Sequence, residues 1–250
     1  MSGHSKWSTI KRKKGAEDAK RGKIFTRVAR DIAQAAREGG GDENSNAKLK
    51  LAIAKAKSAN MPKDNIERAV LRGLGKLEGI ELEEITYEAY GPDGIAFMVE
   101  VLTDNKNRSL AEIKRVLNRA GGSLASAGSV GWQFEQKGNI SLNANGVDFD
   151  EVFMTAAEAG ADDVQQDEES ITVFTPRELL SIVEIALKDA NYEILDAELK
   201  WEPKNETEIS TDKALVNMKL MNDLDELDDV QSVASNLLMT DAVIEAFENA

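Results

Sequence analysis

Around residues 76–79 the chain changes its charge and its hydrophobic period together, and this divides it into a helical head and a sheet-bearing body. Residues 1–76 hold 19 Lys and Arg against 8 Asp and Glu, whereas residues 77–250 hold 12 against 37. Apolar residues recur at helical spacing before this point and alternate after it. The formal net charge is −14, but a phosphate senses only charge within a Debye length of about 8 Å. The head is therefore the candidate surface for a polyanion.

A chain of 250 residues with 42% hydrophobic content can bury a sizeable core and suits two or three compact units. Cysteine is absent, which excludes disulfides, thiolate catalysis and zinc–thiolate sites and is compatible with a reducing cytosol. No stretch approaches the roughly 18 apolar residues of a membrane span. The opening has no apolar signal-peptide core, and Glu17 and Asp18 interrupt the acid-free pattern of a transit peptide. Cytoplasmic localisation without membrane contact is the expectation.

Ala16–Glu38 reads as one helix. At about 100° per residue, Ile24, Val28, Ile32 and Ala35, with Phe25, Ala29 and Ala36, share one arc, while Lys20, Lys23, Arg27, Arg30 and Arg37 share the opposite one. Gly39-Gly40-Gly41 ends it, since glycine accepts the left-handed backbone of a C-cap; the GK[ST] of a phosphate loop is missing. A second helix, about Asn46–Ala59, turns Leu49, Ala52, Ile53 and Ala56 inward and exposes Lys48, Lys50, Lys55 and Lys57. A third opens at Met61-Pro62 and buries Ile66, Ala69, Val70 and Leu74. The result is a three-helix bundle whose short connections favour antiparallel neighbours and bring the cationic face of the first helix near the lysines of the second.

Met1–Gly15 projects from this bundle as a basic arm containing Lys6, Lys11, Arg12, Lys13 and Lys14. Its cations, with Lys20, Arg21, Lys23, Arg27 and Arg30 of the first helix, are the candidate nucleic-acid-binding residues, because each can neutralise a phosphate and release condensed counterions. Trp7 joins this set as a possible stacking platform, or anchors the arm to the bundle. His4 is the single histidine, a poor metal ligand without Cys or a second His.

In the body, Ile85–Tyr90 and Ile95–Leu102 flank Gly91-Pro92-Asp93-Gly94, a hairpin pattern. A helix at about Arg108–Arg119 follows, and small residues over Ser123–Gly131 read as a linker. Residues 133–202 give the order βαββαβ: strand 134–142, helix 149–159, strands 163–167 and 170–175, helix 177–189 and strand 193–201. That is the ferredoxin-like unit. After it come a short strand near Glu208–Ser210, a helix over about Asp212–Asp225 and a strand near Val230–Leu237. The expected fold class is thus α+β and multidomain: a helical domain over 1–79, a discontinuous domain of 80–132 plus 203–250, and a ferredoxin-like domain of 133–202 inserted into it.

The acidic clusters Asp162-Asp163, Asp167-Glu168-Glu169 and Asp223–Asp229 lack the spacing of a calcium loop and read as solvated faces. No GxSxG, HExxH, Walker loop or dinucleotide fingerprint occurs. With one histidine and no cysteine, neither a catalytic residue nor a metal or cofactor site is assigned, and an enzyme is not expected.

Several strings resemble the YebC/PmpR family: Ser2-Gly3-His4-Ser5-Lys6-Trp7, DAKRGKIF from Asp18 to Phe25, Gly39-Gly40-Gly41 and NMPKDNIER from Asn60 to Arg68. So do Tyr90-Gly91-Pro92, TDNKNR from Thr103 to Arg108, and Gly128-Ser129-Val130. The resemblance runs from residue 2 to about 202 and fades over Asp212–Ala250. It departs at Arg12, where relatives often carry histidine, and at Gly15, where alanine is common. The resemblance implies a three-domain cytoplasmic protein with an all-helical N-terminal domain, and a DNA-binding transcriptional regulator whose partner is promoter DNA. A mitochondrial branch activates translation of cytochrome oxidase, which implies the alternative of a ribosome-associated factor holding ribosomal RNA through the same basic residues. No oligomeric state is implied.

Overall fold

The computed structural model describes residues 17–77, 82–166 and 170–248, with residues 17–23 and 248 as backbone alone. The architecture is α+β, with helices first and two antiparallel sheets after them.

The head consists of α1 (Glu17–Gly39), α2 (Ala47–Ser58) and α3 (Lys63–Gly73). Val28, Ile32, Ala35 and Ala36 of α1 pack with Leu49, Ala52, Ile53 and Ala56 of α2 and with Met61, Ile66 and Ala69. Ile24, placed on the inward arc by periodicity, is 45% exposed. Gly40 ends α1 with φ +85°, and its amide bonds back to the Ala36 carbonyl at 2.9 Å. Asn46 then clamps the turn: Nδ2 donates to the carbonyls of Ala35 (2.7 Å) and Gly40 (2.8 Å), and Oδ1 accepts from the Leu49 amide (3.0 Å), capping α2.

The first sheet has the order β3-β1-β2-β8, formed by β1 (Glu83–Tyr90), β2 (Ala96–Thr103), β3 (Ser123–Leu124) and β8 (Val230–Ser235). β2 lies between β1 and β8, and both of its faces are covered. Phe97, Val99 and Val101 point into a core shared with α4 (Lys106–Ala120), α7 (Thr211–Asp225) and α8 (Asp241–Glu248). Ala96 and Met98 point the other way, toward Val130, Phe134 and Trp201. This is the period-2 alternation of a strand used on both sides.

The second sheet has the order β5-β6-β4-β7, from β4 (Phe134–Asn143), β5 (Asp163–Gln166), β6 (Ser170–Pro176) and β7 (Ile194–Pro203), every neighbouring pair antiparallel. With α5 (Phe149–Glu158) and α6 (Leu180–Asp189) on one face, its core holds Ile140, Leu142, Val152, Ala156, Val173, Val183 and Leu187. That order and direction are those of the ferredoxin-like unit. Trp201 links the sheets, its indole N–H donating to Glu100 at 3.0 Å.

Four features depart from the sequence reading. Ser123–Gly131 is no loose linker: Ser123 and Leu124 pair with β1, and the Glu88 carboxylate accepts the amides of Gly128 (2.6 Å), Val130 (2.5 Å) and Gly131 (2.9 Å). Burial opposes the Glu88 charge, but these three donors outweigh it and hold its pKa below the ordinary value. Near Glu208–Ser210 there is only an isolated bridge, Thr207 to Leu237, and β8 stops at Ser235. The helix Asp241–Glu248 went unforeseen, although Val243 and Phe247 complete the first core. At the hairpin, Gly91 is required by close packing, because a Cβ there would lie 2.2 Å from Asn217 Oδ1. The acidic cluster 167–169 lies outside the described residues.

Residues 82–132 leave the core side of β2 and the inner stripe of α4 without α7, α8 and β8. Expressed alone, this segment is expected to show no cooperative thermal transition, whereas residues 133–203, which carry their own sheet and two helices, are expected to melt cooperatively by circular dichroism.

Candidate nucleic-acid interface

Of the proposed contact residues, Lys6, Trp7, Lys11, Arg12, Lys13 and Lys14 lie outside the described residues, and Lys20, Arg21 and Lys23 are described only as backbone of α1. Arg27 and Arg30 are placed in detail, and both turn inward, against the acidic body. Arg27 Nη1 stands 3.4 Å from Asp225 Oδ1, and Nη2 donates to the Asp225 and Leu227 carbonyls. Arg30 donates to the Asp228 carbonyl at 2.6 Å and pairs with Asp229 at 2.8 Å. The expected apposition of these arginines with the lysines of α2 is therefore not the arrangement found.

Asp229 is the centre of this junction. Its carboxylate accepts from Thr103 Oγ1 (3.0 Å), Ser109 Oγ (2.6 Å) and Arg108 Nη2 (2.8 Å) in addition to Arg30. Burial opposes its ionisation, yet Ser109, Arg108, Arg30 and Thr103 outweigh burial and lower its pKa. The string TDNKNR supplies most of these groups: Thr103 and Arg108 bind Asp229 directly, Asn105 caps α4 by accepting the Arg108 amide at 3.1 Å, and Asp104 pairs with Arg108 at 2.6 Å. The Asp223–Asp229 run, read as a solvated face, thus contains two buried carboxylates, Asp225 and Asp229, that receive the head.

A second junction sits on β7. Lys55, expected in solvent, reaches Asp196 at 3.4 Å and Glu198 at 3.5 Å. Burial works against its ammonium, but Glu198, Asp196 and Asp31 outweigh it and raise its pKa. Asp31, on α1 beside this cluster, is pushed up to about 6 by burial, with Lys55 acting in the opposite direction and Glu198 and Asp196 adding to the rise.

With Arg27 and Arg30 held internally, the accessible charge of the head lies elsewhere. A groove of about 1120 Å³ runs between α1 and α3. Arg30 and Arg37 line it from α1, Arg68 and Arg72 from α3, and Lys76 stands at its end. Its apolar lining comes from Phe25, Ala29, Ala33, Met61, Ala69, Leu77 and Leu82. The one carboxylate among its described lining residues, Asp104, is paired with Arg108. Arg68, Arg72 and Lys76 are exposed and have no ion-pair partner among the described residues. The two helices meet at Gly73, where a Cβ would stand 2.1 Å from the Ala33 carbonyl oxygen, so only glycine admits this crossing. Sequence reading gave the cationic role to the arm and first helix and passed over the third; the i,i+4 pair Arg68 and Arg72 was its signal.

Among the described residues, no group of three or more His, Cys, Asp or Glu could hold a metal ion, and no helix is long and apolar enough to cross a membrane.

Two family models match the chain, "TACO1/YebC protein N-terminal domain" over residues 5–76 and "TACO1/YebC second and third domain" over 82–237. A "Probable transcriptional regulatory protein" of Dictyoglomus thermophilum is 46% identical over 247 residues, covering 98% of this chain and 99% of that protein. One of Bifidobacterium longum is 50% identical over 245 residues, covering 98% of each. The likeness therefore continues through the C-terminal stretch where the motif strings fade. A crystal structure described as a conserved hypothetical protein from Aquifex aeolicus superposes with a TM-score of 0.85 at 42% identity, covering 90% of this chain and 93% of that one.

Asp31 gives a test of the junction. Its raised pKa means that the folded state binds the proton more tightly than the unfolded one. Its favourable contribution is thus complete below the unfolded value near 4 and is lost as pH rises through about 6. Asp31→Asn is expected to stabilise the protein at pH 8 by on the order of 2 kcal/mol relative to wild type, with the advantage shrinking as pH falls through about 6 and disappearing only below the unfolded value near 4. Thermal melts of both proteins across this range check it.

Proposed function

The chain belongs to the TACO1/YebC family, and on that premise we propose that it is a nucleic-acid-binding regulatory protein whose basic head holds the ligand and whose acidic body orients that head. The observation that carries the reading is the cation-lined groove on a molecule of net charge −14. The names of the relatives support a regulator of transcription, and promoter DNA is the ligand that this reading assigns. The contact set is then the arm residues Lys6, Trp7, Lys11, Arg12, Lys13 and Lys14, the first turns of α1 with Lys20, Arg21 and Lys23, and the groove. Arg27 and Arg30 act in it as positioning residues, through Asp225 and Asp229.

One observation favours the second reading, a factor acting in translation on ribosomal RNA. Duplex DNA is commonly read by a convex element that enters its major groove, whereas the cations described here line a concavity of the protein. A run of basic residues in the chain together with a concave cationic surface suits an irregular, folded RNA, whose shape, phosphates and unstacked bases are contacted together. Its site of action would be the cytoplasm under either reading.

If about six to eight phosphates are neutralised, log K against log salt should slope on the order of −5 to −7 for duplex DNA. Replacing Lys11, Arg12, Lys13 and Lys14 together by Ala is expected to flatten that slope by about 3 and weaken binding to every sequence alike. A slope equal to wild type would remove the arm from the interface. Crosslinking in cells, with sequencing of both DNA and RNA, separates promoters from ribosomal RNA, the quadruple variant serving as control.

A further inference from the structure

We propose that the groove between α1 and α3 takes an unpaired stretch of nucleic-acid strand, with phosphates on Arg68, Arg72 and Lys76 and an unstacked base against the apolar lining. This rests on the nucleic-acid reading above and deepens it by naming what the groove selects. Three observations carry it.

Arg68, Arg72 and Lys76 stand along the α3 wall of a cleft between packed helices, and Arg37 lines it from α1, so a ligand that meets both walls must enter the protein. The cleft cannot widen easily: α1 and α3 are pinned together at Gly73, whose Cα approaches the Ala33 carbonyl too closely for any side chain, and α1 is tied to the body through Arg30 and Asp229. A duplex presents its phosphates on a convex cylinder and would touch the rims alone.

Between the cations the cleft carries apolar lining from Phe25, Ala29, Ala33, Met61 and Leu77, with Thr26, Gln34 and Asn65 among its polar residues. Phosphates have no use for such an apolar surface. The face of a base does, and in a duplex that face is hidden by stacking; only an unpaired nucleotide can offer charge to the cations and an apolar plane to the lining together. The guanidinium groups of Arg68 and Arg72 add planar faces on which a neighbouring base can stack, a property a lysine lacks.

The volume, about 1120 Å³, exceeds the roughly 300–1,000 Å³ of a small-molecule site, which suits a strand segment better than a single mononucleotide.

The test uses the full chain and fluorescence anisotropy at fixed salt, with probes of equal length: an unstructured RNA, the same sequence as single-stranded DNA, that DNA with three adjacent abasic positions, and the DNA duplex. The expected result is that at least one intact single strand binds several-fold tighter than the duplex and that the abasic strand, equal in charge, binds at least about fivefold more weakly than its parent. Arg68→Ala with Arg72→Ala should weaken single-strand binding about tenfold and reduce the salt slope by about 1.4, while Lys114→Ala with Arg115→Ala, an exposed pair on α4, should change neither. An abasic strand that binds as well as its parent, or a duplex that competes equally, overturns the groove proposal while leaving nucleic-acid binding intact; the probe comparison needs no variant, so it stands even if the double variant misfolds. Absence of binding to all four probes overturns the nucleic-acid reading itself.

Discussion

The arrangement of the whole molecule depends on one buried carboxylate. Asp229 gathers Thr103 from the end of β2, Arg108 and Ser109 from the first turn of α4, and Arg30 from the head. A carboxylate can accept about four hydrogen bonds, and here they come from three separate elements, β2, α4 and α1. Burying the charge is costly unless it is paired and fully hydrogen-bonded; with all its donors in place it becomes a geometric constraint, because no donor can move without exposing a desolvation cost. The site at which β2 ends, the start of α4, the approach to β8 and the orientation of α1 are set together.

The same junction explains how a basic domain and an acidic one coexist in a chain without collapsing onto each other indiscriminately. Ion pairs between them gather in two places, Arg27 and Arg30 against residues 225–229 and Lys55 against Asp196 and Glu198. Each has partly buried partners, where the local dielectric strengthens the pairing and salt screens it less than at the surface. Arg68, Arg72 and Lys76 take no part in these contacts, so docking consumes Arg27, Arg30 and Lys55 and leaves the charge of α3 to a ligand.

Local patterning made much of this architecture legible. The helices of the head, the βαββαβ order and the inward residues of α2 follow from period and capping alone, since Leu49, Ala52, Ile53 and Ala56 fall on one arc and are all buried. What escaped was mostly decided by side-chain partners far along the chain. Arg27 and Arg30 look like any cationic helix face, and only a carboxylate some 200 residues away withdraws them from solvent. Asp225 and Asp229 look like a solvated acidic run for the same reason. Ser123–Gly131 is small and polar in composition, and its order comes from pairing with β1 and from the Glu88 side chain, some 40 residues earlier. The groove combines two helices with the segment around Leu82 and Asp104, so no linear window contains it.

The placement of β8 beside β2 has a consequence for the birth of the chain. β2 is complete at Thr103, but the strand that covers its free edge begins at Val230, after the entire ferredoxin-like unit. At roughly 5–20 residues per second of synthesis, an apolar strand reading Ala-Phe-Met-Val-Glu-Val-Leu-Thr waits on the order of ten seconds with one edge unpaired, a template for pairing with other chains. Glu100, near the middle of that strand, later receives the indole of Trp201 and the hydroxyl of Ser232. Until they arrive it places a bare charge on the waiting strand, a gatekeeper against intermolecular sheet formation that becomes an internal tie once synthesis is done.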